Sequence, residues 1–280
     1  MARRNAAWKR LLAKILLYLV MTILAVCMGV PFLWMLSTSL KTPGETFVYP
    51  PVWIPHPPQW SNYADAWQKA NFGHYFFNSV FITVTTVAGQ LLTSSLAAFS
   101  FARLHYKGRD ALFLAYLGTM MIPGQVVMIP NFILMRYFGW VNTYQALIVP
   151  AIFTAYGTFM LRQFMLSIPT ELDEAATIDG CNKLQVYWNV ILPLSKAALA
   201  TLGVFSFIGA WNNFQWPLIV TNDPSMFTLP IGLSSFNSEH ASNYSLMMAG
   251  TVICVSPILA LYCAAQNYFV EGIALSGIKG

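Results

Sequence analysis

Ser167–Leu194 reads SIPTELDEAATIDGCNKLQVYWNVILPL, a polar island in an otherwise apolar chain. It holds four of the ten carboxylates: Glu171, Asp173, Glu174 and Asp179. Thr170, three residues before Asp173, predicts a helix start resembling a capping box. An acidic first turn suits the positive end of a helix dipole. Ala175 and Ala176 continue the helix, and Gly180 stands where a left-handed cap would end it. A second short helix is expected over Lys183–Val190, stopped by Pro193. The segment is therefore predicted as a helix–turn–helix with an acidic flank, leaving Leu184, Val186 and Tyr187 available for docking.

Outward from this island the chain turns apolar. A bilayer-spanning helix needs about 20 apolar residues, and six stretches qualify: Ile15–Leu36, Phe77–Phe101, Ala111–Leu134, Tyr144–Leu161, Ala197–Val220 and Leu246–Val270. Over 280 residues the chain is 57% apolar and 9% charged, with mean hydropathy +0.56, whereas soluble domains carry about 25% charged residues. The expected fold is an all-α integral membrane protein, one transmembrane domain over residues 1–280, with six spans. The 167–194 loop lies between spans four and five. Arg3, Arg4, Lys9, Arg10 and Lys14 before an apolar run resemble a signal peptide, but the run to Leu36 is too long for one and reads as a retained first helix.

The net charge of +5 comes from basic residues clustered beside apolar runs. That is the pattern of membrane orientation, with no nucleic-acid partner implied. With the N-terminus inside, twelve Lys and Arg fall on cytoplasmic segments and three (Lys41, Lys69, Arg136) on outer ones. Both termini and the 167–194 loop are therefore expected in the cytoplasm. The proline-rich outer segment from Ser37 to about Phe76 should form an extended or turn-rich cap. Pro123-Gly124 and Pro130 predict that span three kinks or breaks near its middle, serving either packing or hinge motion. Gln90, Ser94, Ala98 and Ala102 recur every four residues, the pattern of a helix-packing face. Cys27, Cys181, Cys254 and Cys263 have no metal-ligand spacing, and no cofactor or metal is expected.

Glu174-Ala175-Ala176, three residues, Gly180, nine residues, Val190, one residue, Leu192-Pro193 resembles the EAA loop of binding-protein-dependent ABC importer permeases. Val190 stands where isoleucine is commoner, and Cys181 where a small residue is usual. Phe99-Ser100-Phe101-Ala102-Arg103, Trp211 through Leu218, Thr228 through Leu233 and the tail Ser276–Gly280 are similar to carbohydrate-uptake permeases of the maltose type, second subunit. The resemblance implies that Glu174, Ala175, Ala176, Asp179, Gly180, Leu184, Leu192 and Pro193 dock on an ATPase. It also implies that Ser276, Gly277, Lys279 and Gly280 reach toward the ATPases. The implied partners are a second permease subunit, two ATP-binding subunits, an extracellular or periplasmic solute-binding protein and membrane lipid, in the cytoplasmic membrane.

For the solute path, Trp211 with Gln215 and Asn212 with Trp216 would share helical faces at i, i+4. Amides beside indoles suit a sugar, or equally bond neighbouring helices. No Asp, Glu, Lys or Arg lies mid-span, so ion coupling has no buried ionisable residue to run through. There is no G-x-x-x-x-G-K-[ST] phosphate loop, so the chain is expected to be no enzyme and to rely on partners for ATP. Besides a sugar, a glycerol-phosphate-type solute stays open. An intramembrane enzyme would need a nucleophile–base pair or metal ligands in the spans, yet all four histidines lie outside the mid-spans. A passive channel would leave the EAA loop unexplained.

Overall fold

In lipid every backbone N–H and C=O must be satisfied within the protein, and helices do this locally. The computed structural model describes the backbone of residues 2–69, 71–239 and 243–277, and the side chains of residues 11–69, 71–236, 238 and 243–266. The described residues contain no β-strand. The helices are α1 (Ala2–Ser39), α2 (Ser61–Lys69), α3 (Phe72–Arg103), α4 (Arg109–Gly118), α5 (Gly124–Tyr137), α6 (Tyr144–Ile148), α7 (Ala155–Leu166), α8 (Glu171–Ile178), α9 (Lys183–Val186), α10 (Leu192–Leu194), α11 (Lys196–Trp211), α12 (Gln215–Val220), α13 (Leu229–Glu239) and α14 (Tyr244–Gly277). Four segments are each long and apolar enough to cross a bilayer: Leu11–Ser39, Phe72–Arg103, Tyr144–Leu166 and Tyr244–Gln266. Two bent pairs, Arg109–Met121 with Gly124–Tyr137 and Lys183–Leu194 with Lys196–Trp211, bring the number to six if each is one span.

Where the expected spans break, proline is usually the cause. In span three the two halves meet at 98°, a break near the middle as expected. Pro123 excludes the helical region for the residue before it, and Ile122 is extended (ψ 115°). Pro130 stays inside α5 without breaking it. Span four, expected to be continuous, divides into α6, a 3-10 turn at Val149–Ala151 and α7. The carbonyls freed there are taken by α3: Gln90 Nε2 donates to Ala151 O (2.6 Å) and Thr93 Oγ1 to Ile152 O (2.7 Å). Span five also departs from expectation. Pro217 lacks an N–H and crowds the carbonyl four residues back, at Asn213, so α11 ends at Trp211 and α12 begins at Gln215. The shared faces expected of Trp211 with Gln215 and Asn212 with Trp216 therefore do not form.

The chain divides into two compact units, Met1–Ala70 with Ser235–Val255 and Asn71–Ser234 with Ser256–Gly280. In the first, α1 shows its large apolar side chains outward, Leu16, Tyr18 and Met28 among them, as a lipid-facing helix does. Its last carbonyl, Ser39 O, accepts from Asn62 Nδ2, which also donates to Lys41 O just beyond the helix (both 2.9 Å). Residues 46–60 form the turn-rich cap that was expected, but residues 61–69 form the helix α2. No proline follows Pro58 in this segment, and Asn62 ties the helix to the end of α1.

In the second unit α3 is the central element. Its Ser94, Ala98 and Ala102 are buried, and the close approach to α7 is set by Gly157, where a Cβ would stand 2.7 Å from Ser94 Oγ. The predicted packing face is thus present. Ala98, Phe99 and Ala102 of α3 join Leu161 and Met165 of α7, Ala198 and Leu202 of α11, and the inner side of residues 168–191 in one core.

Candidate coupling surface and solute cavity

α8 starts without a side-chain cap. Thr170 is itself helical (φ −70°, ψ −23°) and makes no capping hydrogen bond, so the expected capping box is absent and Asp173 turns elsewhere. Gly180 takes φ +88°, the left-handed conformation predicted for it, and Cys181 N–H returns to Ala176 O at 2.9 Å. The capping box lies one turn later. Asn182 Oδ1 accepts from Gln185 N–H (2.9 Å), and Gln185 Oε1 accepts from Asn182 N–H (2.8 Å). Pro193 does not stop the second helix. A π turn over Tyr187–Ile191, in which Leu192 N–H reaches Tyr187 O, widens the backbone ahead of the proline. Pro193 then falls in the first turn of α10, where no N–H is required. The chain bends by 77° only at Ser195, into α11.

The pair of short helices has two distinct sides. Val186 and Tyr187, expected to dock outward, are each 1% exposed. Tyr187 OH shares a 2.7 Å hydrogen bond with Ser95 Oγ and its ring lies 5.3 Å from that of Phe99. Ala176 also faces inward, its small side chain admitting α8 to the core. Glu174, Ala175, Asp179, Gly180 and Pro193 are exposed, and Leu192 is partly so. Leu184 is 60% exposed and Ile178 86%. Ile178, Leu172 and Trp188 belong to the outward side and were missed. An aliphatic residue just before the cap glycine of a polar loop is the signal that points to Ile178.

Behind this surface stand two arginines. Arg103 Nη2 donates to Ile168 O (2.7 Å) and its Nε lies 3.5 Å from Asp173 Oδ2. Arg162 Nε donates to Phe101 O (3.1 Å), with its guanidinium over the Phe113 ring and 3.7 Å from Asp110. Asp110 also accepts from Arg109 Nε at 2.9 Å. Of the tail, α14 reaches Gly277; Lys279, Gly280 and the Ser276 side chain lie outside the described residues.

A cavity of about 420 Å³ opens where spans four and five break, between α3, α7 and α11. Ser79, Thr83, Thr86 and Gln90 line it from α3, Ser206 and Trp211 from α11, and Asn213 from the break. Among the described residues no charged side chain lines it. Thr86 Oγ1 and Thr228 Oγ1, both buried, have no hydrogen-bond partner among the described residues. Of the four residues expected on the solute path, Trp211 alone lines this cavity. Asn212 Nδ2 caps Ile208 O (3.0 Å), and Trp216 Nε1 donates to Ala146 O (2.8 Å). Gln215 and Trp216 instead border a second depression beside Gln125 and Asn131. The missed residues had a sequence signal: polar side chains at 79, 83, 86 and 90 form a helical stripe in an apolar span.

The sequence profile of the family "binding-protein-dependent transport system inner membrane component" matches residues 90–274. The chain belongs to that family. The permease is 37% identical over 245 residues to the arabinooligosaccharides transport system permease protein AraQ of Halalkalibacterium halodurans, covering 87% of this chain and 86% of the relative. It is 32% identical over 266 residues to the melibiose/raffinose/stachyose import permease protein MelC of Bacillus subtilis, covering 94% and 95%. Its fold matches a chain of a bacterial ABC transporter that imports the acidic polysaccharide alginate, with TM-score 0.82, 24% identity, and 91% and 95% covered. Family membership makes the permease a membrane component of a transport system and no enzyme.

Proposed function

We propose that this permease is one membrane subunit of an ATP-driven importer for a neutral, hydroxyl-rich solute, a sugar or oligosaccharide. It pairs with a second permease and two ATP-binding subunits, and receives solute from an external binding protein. The observation that carries this reading is the two-sided helix pair at residues 171–194. Its inner side is locked into the core of the spans, while its outer side presents Glu174, Ile178, Asp179 and Leu184. Such a rigid element passes motion of a docked ATPase to the helices behind it as a body. Both termini and this surface lie in the cytoplasm on the basic-residue asymmetry.

The cavity supports the sugar over the glycerol-phosphate alternative. An anion would call for a basic side chain, and the lining has none among the described residues. Hydroxyls, amides and one indole suit a sugar's edges and apolar ring face. The names of AraQ and MelC point the same way. The test is co-purification of the ATP-binding subunits with this permease. They should be retained by the wild type and lost when Glu174, Ile178 and Leu184 are replaced together by lysine. Full retention by the triple variant would overturn the docking assignment.

A further inference from the structure

We propose that Arg103 and Asp173 form the joint through which movement of α8 reaches α3 and the cavity, acting as positioning residues for transport. This inference rests on the docking role of α8 given above. Successive residues on a helix point about 100° apart, and α8 uses this to divide its acidic turn. Glu171 and Glu174 face outward, while Asp173 alone among the loop's four carboxylates is turned toward the core. There it meets a guanidinium that is almost fully desolvated, with a side chain only 4% exposed. That guanidinium closes the end of α3 and also holds Ile168 O, in the linker between α7 and α8. One side chain thus ties three elements together.

Two observations make this more than a structural tie. First, the pair is not fully closed: Arg103 Nε stands 3.5 Å from Asp173 Oδ2, and Arg103 Nε and Asp173 Oδ1 each lack a hydrogen-bond partner among the described residues. A buried charge pair short of its hydrogen bonds is costly, so the contact favours any displacement of α8 that shortens it. Second, α3 is an unbroken helix from Arg103 to the cavity. Gln90, Thr86, Thr83 and Ser79 lie on the same rod, the nearest about 20 Å from the joint. Tyr187, bonded to Ser95, seats the second short helix on this rod at another point. Movement of α8 against α3 therefore acts directly on the helix that carries the largest share of the polar lining.

The experiment uses the assembled transporter, permease with its partner subunits, in proteoliposomes, and reads ATP hydrolysed per solute imported. Arg103→Lys should retain the ATP-binding subunits yet raise this ratio by roughly three- to tenfold, a span typical of altered coupling networks. Lysine keeps the charge but cannot bond Ile168 O and Asp173 in the fork geometry. Asp173→Asn should do the same, and the double variant should be no worse than either single, because the two act as one unit. A pair of apolar replacements, Arg103→Met with Asp173→Leu, strands no charge and covers the case in which single variants fail to assemble; it too should uncouple. A wild-type ratio in the assembled variants would overturn the joint, as would effects that multiply in the double variant. Loss of ATP-binding subunits from the Glu174, Ile178, Leu184 triple variant is a separate readout, so failure of the docking role and failure of the joint are told apart.

Discussion

Gly180 adopts φ +88° with open space around the position of a Cβ, so the constraint there is conformational and not one of room. An L-residue in this region costs on the order of 1 kcal/mol, and asparagine tolerates it best. Gly180→Val should therefore reorient α8 against α9 and weaken retention of the ATP-binding subunits, while Gly180→Asn should retain them; equal retention by both would show that the cap has no part in docking. The cavity supplies a second residue-scale expectation. Thr86→Val and Asn213→Ala remove polar groups from the lining and should raise the KM for uptake by about 5- to 30-fold, taking about 1–2 kcal/mol per lost hydrogen bond. Asn212→Ala should leave KM unchanged, because that amide is spent on Ile208 O. Uptake kinetics of the three variants check the assignment.

Among the elements, α3 and α7 pack closely, and Gly157 sets their approach. A methyl group there would sit 2.7 Å from Ser94 Oγ and 2.8 Å from Thr154 Cγ2. Gly157→Ala should cost about 1–3 kcal/mol as overpacking and lower the thermal unfolding midpoint in detergent, whereas Gly29→Ala on α1, with open space, should not. The spans themselves were legible from hydropathy because lipid leaves the backbone few alternatives. The breaks were less so. Pro123 acts on its immediate neighbour and was visible. Pro217 acts four residues upstream and so falsified the faces drawn through Trp211, Asn212, Gln215 and Trp216. The break in span four falls at Pro150, a local signal the span reading passed over; that Gln90 and Thr93 of another helix take the freed carbonyls is what no local pattern reveals. In the 171–194 segment the turn at Gly180 could be read from conformation alone. Which side faced inward could not, since Ala176, Val186 and Tyr187 are buried by contacts with α3, α7 and α11.

For the whole molecule, orientation follows from the placement of Lys and Arg. Cysteines introduced at Gln59 and Ser238 should react with an impermeant reagent in intact cells, and one at Lys107 only after permeabilisation; labelling at 107 in intact cells would invert the topology. The central claim, that the chain is the membrane path of an ATP-driven sugar importer, is tested most directly by uptake of a labelled neutral oligosaccharide into proteoliposomes holding the permease, its partner subunits and the binding protein. Accumulation against a gradient is expected, requiring ATP and ceasing without the ATP-binding subunits. Equal flux without ATP, driven only by the solute gradient and supported by the permease alone, would contradict it.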